Sequence, residues 1–203
     1  MGDSKEHIIT IATKLFLQKS FKEVTMKDIV KHTGLSKGAF YHYFESKEQL
    51  FLEVLDYFFT NIMKHVYESY SRKSFYEFYH DYGNEIKSYI KKYLSMFIGD
   101  ESEGEFSMNY FTLAFDALKL FPEFRDKMII EQERELRVWI DAIKQARENG
   151  EIKSPMTDEE IAQIYIYLSD GVAMHSILNG IKIEEMINPF MSLWDKLYEQ
   201  MKV

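Results

Sequence analysis

The spacing of apolar positions predicts helices along most of the chain. Ile8, Ile11, Ala12, Leu15 and Phe16 recur at intervals of three, four, seven and eight, the pattern of one buried helical stripe. Phe21 follows, placed to close a small core. The pattern then breaks into two short pieces. Thr25 opens the first, and Asp28 can reach back to its amide, a capping box. Ile29 and Val30 face inward. Gly34 stands where the backbone must reverse, which a residue tolerant of positive φ allows. Leu35 fills the gap between the pieces and Ser36 caps the second. Phe40 and Phe44 lie four apart and share its buried face. Ser36, Lys37, Tyr41, His42 and Tyr43 are left on or near the outside. Ser46, with Gln49 as its reciprocal partner, opens a fourth helix expected to run from 47 to about 70 as one rod.

The second half keeps the 3.6-residue period. A fifth helix opens at the Ser74/Glu77 pair and carries Phe75, Phe78, Tyr79, Tyr82, Ile86, Tyr89, Ile90, Tyr93 and Phe97. Residues 99–104 are expected as an acidic loop. A sixth helix follows over about 106–120. Pro122 suits the first turn of a seventh, stopped by Asn149-Gly150. The Thr157/Glu160 pair opens an eighth that ends near Gly180, and the ninth takes 184–201. The fold class is therefore all-α, with about nine helices.

Two short helices joined by a glycine turn, the second with a polar and aromatic outer side, have the layout of a helix-turn-helix whose second helix enters the DNA major groove. Residues 1–51 are assigned as this DNA-binding domain and 52–203 as an effector-binding and dimerisation domain. Small Gly38 and Ala39 let the helix backbone approach a phosphate or a base edge.

The segment from Ile8 to Phe51 resembles the DNA-binding domain of the tetracycline-repressor (TetR) family of bacterial regulators. The matching residues are Val24-Thr25, Ile29, Thr33-Gly34-Leu35-Ser36, Gly38, the run Phe40-Tyr41-His42-Tyr43-Phe44, and Ser46-Lys47-Glu48. The resemblance implies that Tyr41 and Lys47 clamp phosphates and that Thr25 adds a backbone contact. It makes Ser36, Lys37, Gly38, Ala39, His42 and Tyr43 the groove-facing set. The second short helix has no arginine, asparagine or glutamine, so the strongest bidentate base readers are missing. Readout by Lys37, Ala39 and Tyr43 is then modest, and DNA shape is expected to help.

Charge sharpens the division. The net charge is −8. Residues 1–55 hold 8 lysines against 7 carboxylates, and the remainder holds 17 basic against 26 acidic residues. A local basic surface on an acidic body suits specific DNA binding. There are no cysteines, which removes disulfides and thiolate chemistry. The first residues lack the apolar core of a signal peptide, and no run reaches the ~20 apolar residues of a membrane span. A cytoplasmic protein is expected. No phosphate-binding glycine loop, nucleophile elbow, HExxH or metal cluster occurs, so neither an enzyme nor a cofactor or metal is expected.

Aromatic residues make up 16% of the chain. Tyr82, Tyr89, Tyr93, Phe97, Tyr110, Phe111, Phe115, Trp139, Tyr167 and Met174 are the candidates to line a cavity for a small apolar or aromatic effector. Asp116 and Glu85 are read as solvated acids that could pair with a cationic ligand. Ile161, Tyr165, Leu168, Gly171, Val172 and His175 on the eighth helix form one apolar stripe. Phe190, Leu193, Trp194 and Leu197 on the ninth form another. Both are expected at a homodimer interface, and the resemblance implies a four-helix bundle there. The reading is a ligand-responsive regulator, a repressor, that binds a palindromic double-stranded operator as a homodimer. The alternative is an effector-independent DNA-binding protein whose second domain serves dimerisation or protein contact.

Overall fold

A computed structural model describes residues 2–58, 67–97, 103–182 and 185–203; the side chains of 2–3, 68, 93–97 and 103–110 are not described. Among the described residues there are nine α-helices and no strand: α1 Gly2–Gln18, α2 Met26–Thr33, α3 Lys37–Tyr41, α4 Lys47–Tyr57, α5 Phe75–Phe97, α6 Glu103–Leu120, α7 Pro122–Glu148, α8 Asp158–Leu178 and α9 Ile187–Met201. No described helix is long and apolar enough to cross a membrane.

The expected ends of α7 and α8 match the structure closely. At the C-terminus of α7, Gly150 adopts φ +72°. Its N–H bonds Arg147 O, and the Glu151 N–H bonds Ala146 O. These two bonds satisfy carbonyls that the last helical turn would otherwise leave open. Thr157 and Glu160 complete a full capping box on α8.

Other boundaries moved. The expected rod from 47 to 70 is α-helical over Lys47–Tyr57, residues 59–66 lie outside the described part, and Tyr67–Ser69 form a 3-10 turn. Tyr67 and Tyr70 bury their rings edge to face, 5.7 Å apart, and the tighter turn turns both rings into the core. Glu103 and Gly104, expected in a loop, begin α6. Helix α9 begins at Ile187, with Pro189 in its first turn.

The chain divides into two compact units. The first gathers Met1–Lys64 with Lys92–Pro122. The second gathers His65–Lys91 with Glu123–Val203. Helix α6 thus belongs with the helix-turn-helix rather than with the C-terminal helices.

The first unit packs on phenylalanine. Ile8, Ala12, Leu15 and Phe16 of α1 are buried, while Ile11, expected in the same stripe, is only partly covered and Ile9 is buried instead. Phe51 touches Phe16 at 4.9 Å, Phe21 at 4.7 Å and Phe121 at 5.6 Å between ring centres. Leu113 and Ala117 of α6 and Phe121 just after it, four residues apart, are buried in the same unit, Phe121 against Phe21 and Phe51. Each such ring contributes roughly 1.5–3 kcal/mol by burial.

The second unit packs on mixed aromatics. Phe75, Phe78, Tyr79 and Tyr82 of α5 meet Trp139, Ala142, Ile143 and Ala146 of α7, Ile161, Ala162 and Tyr165 of α8, and Phe190, Trp194 and Tyr198 of α9. Polar tips in this core find specific partners. Trp194 Nε1 donates to Tyr165 O at 2.9 Å, and Tyr165 Oη donates to Trp194 O at 3.3 Å. Tyr79 Oη donates to Asp195 at 2.8 Å. The Glu151 carboxylate accepts the Phe75 N–H at 2.8 Å, the Tyr76 N–H at 3.1 Å and the Tyr198 hydroxyl at 3.0 Å. It thereby caps α5, for which the Ser74 hydroxyl accepts the Glu77 N–H. The Glu77 carboxylate reaches Ser71 instead of closing the expected box. Trp139 Nε1 is buried without a partner.

Candidate nucleic-acid interface

The local chemistry of α2 and α3 follows the sequence. Asp28 N donates to Thr25 Oγ1 at 3.1 Å, and Thr25 N donates to the Asp28 carboxylate at 3.2 Å. The Thr25 hydroxyl, which donates to the Asp28 carboxylate at 2.5 Å, and then the Thr25 N–H hold that carboxyl below its ordinary range. Gly34 takes φ +68° and ends α2. Ser36 Oγ accepts the Ala39 N–H at 3.2 Å and starts α3. Ile29 is fully buried; Val30, expected inward, is half-buried, and Thr33 is buried in its stead. Ser46 accepts the Gln49 N–H, but the Gln49 side chain bonds the Glu45 N–H at 3.0 Å rather than that of its cap.

Phe40 and Phe44 expose nothing. Their burial turns the rest of α3 outward. Ser36, Lys37, Gly38, Ala39, Tyr41 and His42 are exposed together, and Tyr43 is half-exposed beside them. A Cβ at Gly38 would meet no atom within 4 Å, so this side of α3 is open to a large partner. Lys37 Nζ lies 5.9 Å from the Tyr41 ring centre, and the His42 and Tyr43 rings meet at 5.3 Å.

Two predicted contacts already hold other groups. Thr25 is engaged in the capping box. Lys47 Nζ donates to Phe21 O at 2.8 Å and Val24 O at 2.9 Å, and sits 4.2 Å from the Phe21 ring centre. An ammonium has three donors, so one N–H and the charge remain for a phosphate. Asp116, expected as a solvated acid, instead accepts the Phe21 N–H at 3.0 Å from α6. No sequence signal announces this bond, because its partners lie 95 residues apart.

The candidate effector residues are scattered. Trp139 exposes nothing and Tyr82 almost nothing, their rings 5.1 Å apart in the second core; Trp139 lines no space that water could enter. Tyr82 donates its hydroxyl to Glu135. Burial raises the Glu135 carboxyl to about 7, the Tyr82 bond opposing and the Asp170 carboxylate adding to the rise. Tyr89 and Met174 are half-buried in the same unit, and Tyr167 is 63% exposed. Phe111 and Phe115 belong to the first unit, with Phe115 57% exposed. The side chains of Tyr93, Phe97 and Tyr110 lie outside the described residues. Glu85, expected solvated, accepts the Tyr70 hydroxyl. A cavity of about 10 Å³, room for one water, lies at the start of α5 beside Arg72, Gln145 and Glu151, away from all of these.

The dimer candidates divide into inner and outer residues. Ile161, Tyr165, Phe190 and Trp194 are buried within the chain, and Leu168, Val172 and Leu197 pack against that core. Their spacing marked a real stripe, but it is the one that folds this chain. Gly171, His175 and Leu193 are exposed. The outward stripe of α8 is Ile164, Tyr167, Gly171, His175 and Leu178, the last 77% exposed, at spacings of three and four residues.

An all-α chain with a capped short helix exposing a small, polar and aromatic face beyond a glycine turn belongs to the helix-turn-helix DNA-binding proteins. Residues 8–54 match the family model for bacterial regulatory proteins of the tetR family, so this segment is similar to the DNA-binding domain of those transcriptional regulators. The HTH-type transcriptional regulator YerO of Bacillus subtilis is 40% identical over 76 residues, 36% of this chain and 26% of YerO. The HTH-type transcriptional repressor NemR of Escherichia coli is 35% identical over 54 residues, 27% of each chain. The matched part therefore spans about a quarter of either relative. The fold likeness is longer. The reduced form of NemR superposes with a TM-score of 0.62 at 20% identity, covering 95% of this chain and 96% of NemR. A TetR/AcrR-family regulator superposes at 0.62 with 22% identity over 98% of this chain and 100% of its own.

Proposed function

We propose that this protein is a repressor that binds a palindromic operator as a homodimer and leaves it when a small effector binds the second domain. The observation that carries the DNA-binding part is the exposed set Ser36–His42 raised on the buried Phe40 and Phe44. Lys37 and His42 supply donors for base edges, the Ala39 methyl and the Tyr43 ring suit thymine methyls, and Tyr41 and Lys47 take phosphates. The repressor role is supported by the likeness to NemR, a transcriptional repressor. An effector acts by binding the DNA-incompetent arrangement more tightly.

Dimerisation is supported by the outward stripe of α8. Gly171 costs about 1 kcal/mol in a helix interior, and a Cβ there would meet nothing within this chain. A second copy seated on Ile164, Tyr167 and Leu178 would make use of that small residue, and two copies are what two half-sites require. Tyr167→Asp is expected to give folded monomers in sedimentation, with loss of binding to palindromes. A folded dimer in this variant moves the interface elsewhere.

The test of the whole reading is selection of bound duplexes from a random pool. A recovered palindrome supports it, and a pool that stays random refutes sequence-specific regulation. A second reading, DNA binding without an effector, is favoured by the filled core around Tyr82 and Trp139. Release of the selected duplex by aromatic or long-chain compounds separates the two.

A further inference from the structure

We infer that Asp116, on α6, is a positioning residue for DNA binding: it fixes the turn between α1 and α2 and so sets where Lys47 presents its charge. The inference rests on the reading of Lys47 as a phosphate contact.

The turn satisfies most of its own amides. Lys19 N bonds Leu15 O, Ser20 N bonds the Glu23 carboxylate, and Glu23 N and Val24 N bond Ser20 O. Thr25 N goes to Asp28. Phe21 is held from outside on every side. Its N–H goes to Asp116 at 3.0 Å, its carbonyl accepts Lys47 Nζ at 2.8 Å, and its ring meets Phe51 at 4.7 Å and Phe121 at 6.3 Å. Asp116 stands on α6 and Phe121 directly follows its last residue, Leu120, so one end of this helix grips both the backbone and the ring of Phe21. The Asp116 bond is charge-assisted and correspondingly strong.

Lys47 depends on that grip. Two of its three donors are spent on Phe21 O and Val24 O, which hold a flexible side chain in one place before DNA arrives. A contact made by a side chain already ordered loses less entropy on binding. Without Asp116 the turn loses its outer anchor, the two carbonyls lose their fixed positions, and the Lys47 ammonium no longer meets a phosphate in register. Thr25, adjoining Val24, moves with the same turn.

The experiment uses the full chain and a random-sequence duplex, because phosphate contacts act on any sequence. Affinity is measured across salt concentrations for the unmodified protein, Asp116→Ala, Asp116→Asn and Lys47→Ala, each checked for helical content and melting. Asp116→Ala is expected to weaken binding and to lower the log-log salt slope by about 1 per subunit, as Lys47→Ala does. Asp116→Asn, whose amide oxygen still accepts the Phe21 N–H, is expected to bind nearly as the unmodified protein does. If Asp116→Ala melts below the assay temperature, Asp116→Ser, too short to reach the Phe21 amide, takes its place. A merely structural role would lower the melting temperature and leave the slope alone. A slope changed by Lys47→Ala but not by Asp116→Ala overturns the positioning role and leaves the Lys47 contact standing. A slope unchanged in both overturns the two together. Tighter binding by both Asp116 variants overturns it as well, since the carboxylate would then act only by repelling DNA.

Discussion

The two units solve the packing problem with different rings. In the first, the buried aromatics among the described residues are all phenylalanines: Phe16, Phe21, Phe40, Phe44, Phe51, Phe58 and Phe121. In the second, tyrosines and tryptophans dominate beside Phe75, Phe78, Phe124 and Phe190. A phenyl ring asks only for shape. A phenol or an indole also asks for a hydrogen-bond partner, which the fold must bring from elsewhere in the chain. Asp195 answers Tyr79, Glu151 answers Tyr198, and the Tyr165 carbonyl answers Trp194. The first unit can therefore present an exposed polar face on an undemanding core. The second is bound by pairings in which the loss of one member strands the other.

The largest effect expected is in the phenylalanine core. Phe51→Ala removes the ring that joins Phe16, Phe21 and Phe121, and should cost about 3–5 kcal/mol in urea unfolding. A loss under about 1 kcal/mol would mean that the cluster collapses around the gap and that shape matters less there than proposed. The next test is in the second unit. Trp194→Phe deletes an N–H that donates to the Tyr165 carbonyl, whereas Trp139→Phe deletes an N–H that has no partner. The first should cost about 1 kcal/mol more than the second, the usual net worth of one hydrogen bond. Equal losses would show that only volume counts, and the contrast between the units would fail.

The smallest effect is read against pH. Glu135 binds its proton more tightly folded than unfolded, with a folded value of about 7 set first by burial. Its contribution to stability is complete below its ordinary value near 4.5 and is lost as pH rises through about 7. Glu135→Gln should therefore flatten the stability profile over that window and gain on the unmodified protein at its alkaline end. A profile as steep as before would assign the pH dependence to another group.

The contrast also decides what could be read from residues alone. Caps, the glycine turn and the 3.6-residue stripes are local, so α2, α3, α7 and α8 and the exposed side of Ser36–His42 were legible. The Thr157/Glu160 box and Gly150 needed nothing beyond their neighbours. Stripes were visible on α8 and α9 as well, but period alone does not tell a core from an interface. Tyr165 and Trp194 therefore read as interface residues although they pair within the chain. Asp116 was hidden for the opposite reason. A single carboxylate whose role depends on an amide 95 residues away leaves no local trace. The allocation of α6 to the first unit depends in the same way on its packing against α1, far away in sequence.

The placement of the two tryptophans also has an optical consequence. Trp139 and Trp194 are the only indoles in the chain, and both lie in the second unit with ring centres 5.3 Å apart. Tryptophan emission is thus blind to the helix-turn-helix, while far-ultraviolet dichroism, to which the helices of both units contribute, sees both. Unfolding curves from the two signals coincide only if the units melt as one. If they separate, the emission curve belongs to the C-terminal core, and the difference between the curves is the stability of the part that holds the DNA.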